Sequence, residues 1–338
     1  MVSLPPIFAV CVRDGLTPAG YATLPPVFVF TRLRRKLVNP ATISMAGIFP
    51  PIPTPFDADG ELNLKALASN FERWNRFPLA GYVVLGTNGE FPYLSHEEKL
   101  TLFESARKHI PPGKLLLAGT GCESTRNTIA LTRHAAGLGA DVALLISPSY
   151  YKSRMDAAGL THYYLSVADA SPIPVSIYNM PANTNVDMTA DLIVKLSQHP
   201  NIAGVKDSGG NLSKLGEIVK CVRPGFQVLA GSAGFLYPAL CQGAVGGVLA
   251  LANIAPQQCC DIVALFNQGR HAEARELQLR MIAPNNAVTA RFGVPGLKAA
   301  MEMTGYFGGM PRSPLLPLNE SQKEAVRDLL QAASILPC

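Results

Sequence analysis

The stretch "PVSIYNMPANTNVDMTADLIVKLSQHPNIAGVKDSGG", residues 174–210, opens on an apolar run (174–179) and passes through a segment with helical period. That segment stops at Pro200, and the chain returns to a second apolar run, "IAGVKDS" (202–208). Proline cannot continue a helix. Neither apolar run alternates polar with apolar residues. Strands buried on both faces read this way, and such strands belong to parallel sheets. Strand, helix and strand in this order predict a right-handed parallel crossover.

The same unit recurs on both sides. Upstream lie "GIFPPIPTPF" (47–56), "GYVVLG" (81–86), "KLLLAGTG" (114–121) and "ADVALLISP" (140–148); downstream lie "FQVLAG" (226–231) and "GGVLAL" (246–251). Helix-like segments fill the gaps. "SHEEKLTLFESARKHI" begins with Ser95 and Glu98 at capping-box spacing. "STRNTIALTRHAAGLG" ends on glycine, a common helix stop. Eight strands, alternating with helices, predict an α/β chain closed into a (β/α)8 TIM barrel. The competing open, doubly wound sheet is weakened by the missing glycine fingerprint, since "GTGCES" lacks its third glycine. After residue 256 come amphipathic helices without strands, such as "ESQKEAVRDLLQAAS". They predict a C-terminal helical extension over 256–338, beyond a catalytic barrel at 46–255.

Bulk composition agrees. The 338 residues are 48% hydrophobic and 16% charged, which describes a globular chain with a large core. Of the net charge of +5, residues 1–46 carry +4, leaving the body near neutrality and without an electrostatic footprint for nucleic acid. The seven cysteines show no framework spacing, so a reducing compartment without structural disulfides is expected. No apolar run is long enough to span a membrane. Residues 1–45 are rich in Pro, Thr and Arg and nearly free of acid, which suits a mitochondrial targeting segment. Without targeting, the segment is a disordered tail and the protein cytoplasmic.

In such a barrel the chemistry sits at the C-terminal ends of the strands. The unusual residues of this chain gather there: Thr87, Asn88, Gly89 and Glu90 after the second strand, Tyr150 and Tyr151 after the fourth, Tyr178 and Asn179 at the end of the fifth, Lys206, Asp207 and Ser208 at the sixth, Gly231 and Ser232 at the seventh. Each has a plain reading. Asn88–Gly89 is a common turn pair, the two tyrosines fit a rim, and Lys206 could simply pair with Asp207. Their joint placement at five strand ends favours a site. A desolvated lysine loses its proton more readily and its free amine attacks ketones. A phenol such as Tyr178 can shuttle the protons, and N–H groups of the 87–89 turn could hold a carboxylate. Together these describe aldol cleavage or condensation of a 2-oxo acid. The six histidines show no ligand spacing, and neither a metal nor an organic cofactor is expected. The glycine-rich ends after strands seven and eight also admit a phosphate-binding isomerase, but no basic residue adjoins them.

"GTNGE" (86–90), "SPSYY" (147–151), "IYNMP" (177–181) and "GVKDSGG" (204–210) resemble the motifs of the dihydrodipicolinate synthase / N-acetylneuraminate lyase family of class I aldolases, over about residues 47–325. The resemblance implies Lys206 as Schiff-base lysine, Tyr178 as proton shuttle, and Thr87 and Asn88 as the carboxylate site. It implies Tyr151, beside Tyr150, as a relay tyrosine given across a subunit interface, Ser208 and Gly231 as pocket lining, and a homotetramer built as a dimer of dimers. One departure stands out. Synthases of the family carry arginine two residues after the proline of "YNxP", and here that residue is Asn183. Losing a bidentate carboxylate clamp argues against synthase activity. "PANT", "SQHPNI", "LAGSAGF" and "RFGVPGLK" look most like the mitochondrial members that cleave 4-hydroxy-2-oxoglutarate to pyruvate and glyoxylate.

Overall fold

The apolar runs become eight short parallel strands in the computed structural model, which describes residues 43–337. They are β1 (Gly47–Phe49), β2 (Gly81–Val84), β3 (Leu115–Gly119), β4 (Val142–Ile146), β5 (Val175–Asn179), β6 (Ile202–Asp207), β7 (Gln227–Ala230) and β8 (Gly246–Val248). From β2 to β8 each pairs with the next in sequence, and β8 pairs with β1. Closure on β2 comes from the residues just past β1: Val83 N–H donates to the Pro50 carbonyl and Ile52 N–H to the Val83 carbonyl, both at 3.0 Å. The result is a (β/α)8 barrel with a C-terminal helical region. The targeting segment expected from composition lies outside the described residues up to position 42.

Two apolar layers hold the barrel. Its interior is filled by Phe49, Val83, Leu117, Val142, Leu144, Leu229 and Val248. A larger layer, including Val84, Ala118, Leu145, Ile177 and Val205, packs between strands and helices. Burial on both faces is why the strands read as unbroken apolar words. Each large side chain buried this way contributes roughly 1.5–3 kcal/mol.

The helices start where side chains can take their free N–H groups. Ser95 and Glu98 form the expected capping box on His96–His109. Ser124, Asp156, Thr189 and Asn211 each accept one backbone N–H at the start of a later helix. Helix Pro256–Asn267, which follows β8, packs against β1 and so completes the outer ring. Helix His271–Asn286 comes next, then a π-helical turn (Ala287–Arg291) and helices Gly293–Met303 and Glu320–Ala332. Tyr306, beyond Gly293–Met303, stacks on Trp74 of the first barrel helix with ring centroids 5.5 Å apart.

Candidate active site

Strands β5 and β6 are neighbours, and their register sets Tyr178 beside Lys206. A slip early in this pair decides which way Lys206 points. Val175 faces Ile202 but Ser176 faces Gly204, which leaves Ala203 as the extra residue of a bulge. Ile202 and Val205 both pack outward, towards the helices, while Ala203 packs into the barrel. From Val205 onward, alternation turns Lys206 inward and Asp207 outward. Without the slip, alternation from Ile202 would send Lys206 to the helix side. The backbone is tight here: a Cβ on Gly204 would sit 2.3 Å from the Gln227 carbonyl oxygen.

Lys206 is only 3% exposed. Its Nζ lies 3.7 Å from the centre of the Tyr178 ring and makes no hydrogen bond or ion pair with any described residue. The simple pairing with Asp207 does not occur. Asp207 faces the other way, where it accepts from Asn179 Nδ2 (2.9 Å) and Gly209 N–H (2.9 Å) and pairs with Lys214 (3.1 Å). Lys214 also grips Asp187 at 2.7 Å. Burial disfavours the Lys214 charge, but its bonds to Asp187 and Asp207 outweigh this and hold its pKa above that of an ordinary lysine. Burial likewise pushes Asp187 up, and the bonds from Lys214 and Asn179 bring it below the usual carboxylate value. The nearby charges thus satisfy one another on the far side of the strand.

The Tyr178 hydroxyl, in turn, lies 3.1 Å from Thr87 Oγ1. Thr87 opens a single 3₁₀ turn, Thr87–Gly89, flanked by two non-glycine residues with left-handed backbone, Leu85 (φ 63°) and Glu90 (φ 55°). Such conformations cost about 1–3 kcal/mol each and persist where surroundings enforce them. The turn's own bonds use the N–H groups of Gly89 and Glu90. Those of Thr87 and Asn88 have no backbone partner among the described residues, which leaves two adjacent donors. Thr54 fixes the turn from behind, its hydroxyl donating to the Gly89 carbonyl at 2.7 Å.

Ser208 and Gly231 meet where β6 and β7 end. Gly231 N–H donates to the Asp207 carbonyl at 2.7 Å, and a Cβ at 231 would come within 2.0 Å of Ser208 Oγ. Only glycine fits. Ser232 turns away to cap the next turn, accepting from Gly234 N–H (3.2 Å) and Asn285 Nδ2 (3.0 Å).

Tyr150 and Tyr151 stand apart. They are 79% and 72% exposed, packed edge to face on each other at 5.0 Å, with no hydrogen bond or ring contact to Lys206, Tyr178 or Thr87. The carboxylate of Glu123 holds their loop, accepting from Ser149 N–H and Tyr150 N–H at 2.9 Å each. Glu123 lies in the loop between β3 and the helix Thr125–Gly137, and nothing in the sequence beyond its acidic side chain marks it. Asn183 is exposed on the short helix Pro181–Thr184. Among the described residues, no cluster of His, Cys, Asp or Glu is arranged to hold a metal ion.

The structure therefore brings together a buried amine, a phenol, a hydroxyl and a pair of N–H donors. A 2-oxo acid fits this set: its carboxylate at the turn, its ketone at the amine, and its proton traffic through the phenol.

Comparison with known proteins agrees with that chemistry. The profile of the Dihydrodipicolinate synthetase family matches residues 44–333. A 4-hydroxy-tetrahydrodipicolinate synthase of Methanothrix thermoacetophila is 36% identical over 86% of this chain and 97% of its own. A probable mitochondrial 4-hydroxy-2-oxoglutarate aldolase of Emericella nidulans is 35% identical over 83% of this chain and 93% of its own. Among solved structures, a prophage protein of the dihydrodipicolinic acid synthase family from E. coli K12, in complex with pyruvate, superposes with a TM-score of 0.82. It is 30% identical and is covered completely by 87% of this chain.

Proposed function

The chain belongs to the dihydrodipicolinate synthetase family, and on that premise we propose that it is a Schiff-base aldolase cleaving 4-hydroxy-2-oxoglutarate to pyruvate and glyoxylate. The observation that carries this reading is the isolated Lys206, 3% exposed, without a carboxylate partner and 3.7 Å from the Tyr178 ring. The free amine attacks C2 of the 2-oxo acid, and the carbinolamine loses water to give an iminium ion. Tyr178 gives its proton to the departing water and, as the phenolate, takes the C4 hydroxyl proton; the C3–C4 bond breaks, and its electron pair moves into the iminium as an enamine. Glyoxylate departs as the aldehyde. Protonation at C3 and hydrolysis then return pyruvate and the free lysine, with the water released earlier taken back. Thr87 and Asn88 hold the C1 carboxylate, and Ser208 and Gly231 line the pocket.

Asn183 favours the aldolase over the synthase, because it offers no cation for a second substrate's carboxylate. The relative from Emericella nidulans bears the same activity in its name. Tyr151 completes the proton relay from a neighbouring copy in a tetramer built as a dimer of dimers, a reading its 72% exposure supports. The composition of residues 1–45 supports a mitochondrial location, which a fusion of residues 1–46 to a fluorescent reporter tests; a cytosolic signal would contradict it.

The substrate is tested by a panel. Glyoxylate release from 4-hydroxy-2-oxoglutarate should outpace both cleavage of 2-oxo-3-deoxy sugar acids and formation of dihydrodipicolinate. Faster turnover of either rival would reassign the enzyme within its family.

A further inference from the structure

Glu90 closes the turn that begins with Thr87, yet its side chain does not point at the mouth. It is 2% exposed and gripped from two sides by the C-terminal region. Lys298, 1% exposed, pairs with Glu90 Oε1 at 2.7 Å and donates to the Met310 carbonyl at 2.8 Å. The backbone N–H of Arg312 donates to Glu90 Oε2 at 2.8 Å. The Arg312 guanidinium then reaches Glu98 in a two-pronged contact (2.6 and 2.9 Å) and the Gly60 carbonyl (2.6 Å). Lys298 and Arg312 both lie over the Phe56 ring, at 4.6 and 4.2 Å. Thr54, two residues before Phe56, is the residue that fixes Gly89.

We propose that Glu90 is a positioning residue through which Lys298 and the segment 310–312 fix the turn that receives the substrate carboxylate. The inference rests on the proposed aldolase reading and extends it to the C-terminal region. A left-handed backbone at Glu90 is not favoured by its own side chain. Something outside the turn must hold it, and the two contacts to the Glu90 carboxylate do so. If they are loosened, the backbone at 90 relaxes, and the N–H groups of Thr87 and Asn88 lose their aim. Substrate affinity then falls, while the bond-breaking geometry between Lys206 and Tyr178, which lies on β5 and β6, stays intact.

Two substitutions test this in the full chain. Glu90→Gln removes the charge that Lys298 answers. Arg312→Ala keeps both contacts to the Glu90 carboxylate, since its backbone N–H remains, and releases only the guanidinium that anchors the segment 310–312 on Glu98 and Gly60. Glu90→Gln should raise KM for 4-hydroxy-2-oxoglutarate, and the dissociation constant for pyruvate measured by borohydride trapping, by about tenfold, with kcat changed less than about threefold. Arg312→Ala should raise both constants by about threefold, and it decides the matter if Glu90→Gln does not fold. A control, Arg107→Ala, breaks the ion pair of Arg107 with Asp141 (3.1 Å) and should lower the melting temperature without moving KM. Variants that lose thermal stability but bind pyruvate as the unaltered protein does would overturn the inference alone. No pyruvate adduct at Lys206 in the unaltered protein would overturn the parent reading and this one with it.

Discussion

Lys206 and Lys298 are equally hidden from water and live in opposite surroundings. Lys298 sits between Glu90, the Met310 carbonyl and the Phe56 ring; burial pulls its pKa down and the Glu90 carboxylate pushes back. Lys206 faces a phenol ring and no carboxylate. A buried lysine with a counter-ion is a strut, because its charge is satisfied and its removal strands the partner. A buried lysine without one has no partner to satisfy, and its amine is open to a substrate. The barrel separates the two roles by geometry: the carboxylate next to Lys206 in sequence is turned outward and given to Lys214.

This contrast can be broken in order of effect. Lys206→Met should lower glyoxylate release by about 10⁴-fold or more, since no other group supplies the amine; single-turnover measurements with 4-hydroxy-2-oxoglutarate read it. Tyr178→Phe, which keeps the ring under the amine and removes only the proton, should cost about 10²- to 10⁴-fold in kcat. Pyruvate adduct formation at Lys206 should still be detectable in that variant. Lys298→Met should do the reverse of Lys206→Met. Leaving Glu90 buried without its partner should destabilise the fold by about 3–5 kcal/mol in chemical denaturation, while adduct formation at Lys206 survives in the folded fraction. A variant at 298 that folds normally but never forms an adduct would erase the distinction.

The smallest expected effect is a pH dependence in the Arg312–Glu98 contact that anchors the segment 310–312. The bond from Arg312 holds the Glu98 carboxyl below its ordinary value of 4.5, and burial only partly opposes it. A carboxyl depressed in the folded state adds stability that is complete above its unfolded pKa and lost as pH falls through the folded one. Stability should therefore decline below about pH 4.5, and Arg312→Ala should remove that part of the acid dependence, worth less than about 1 kcal/mol for a partly exposed pair. Denaturation midpoints of the two proteins between neutral pH and pH 3 measure it.

The barrel itself was legible because its strands are buried on both faces, so runs such as "GYVVLG" and "PVSIYN" stand out without any knowledge of their neighbours. The placement of Thr87, Tyr178 and Lys206 followed from one rule about strand ends, and the structure joins them through 3.1 and 3.7 Å contacts. Two things were hidden. The bulge at Ala203, which turns Lys206 inward, is a backbone event with no residue signature; Gly204 permits it but does not announce it. The pairing with Asp207 is closed by alternation instead, which sets adjacent side chains of β6 on opposite faces. The grip on Glu90 was hidden for another reason: Arg312 stands 222 positions away, and nothing local to "GTNGE" marks a partner so distant. The exposed pair Tyr150–Tyr151 was visible as a motif, and the structure leaves it exposed, without contact to Lys206, Tyr178 or Thr87.

The most direct test is to reduce the protein with borohydride in the presence of pyruvate, digest it and locate the added mass by peptide mapping. The account predicts a single pyruvyl adduct on the peptide containing Lys206, with Lys214 and Lys298 untouched. An adduct on either of those lysines, or none at all, would contradict it.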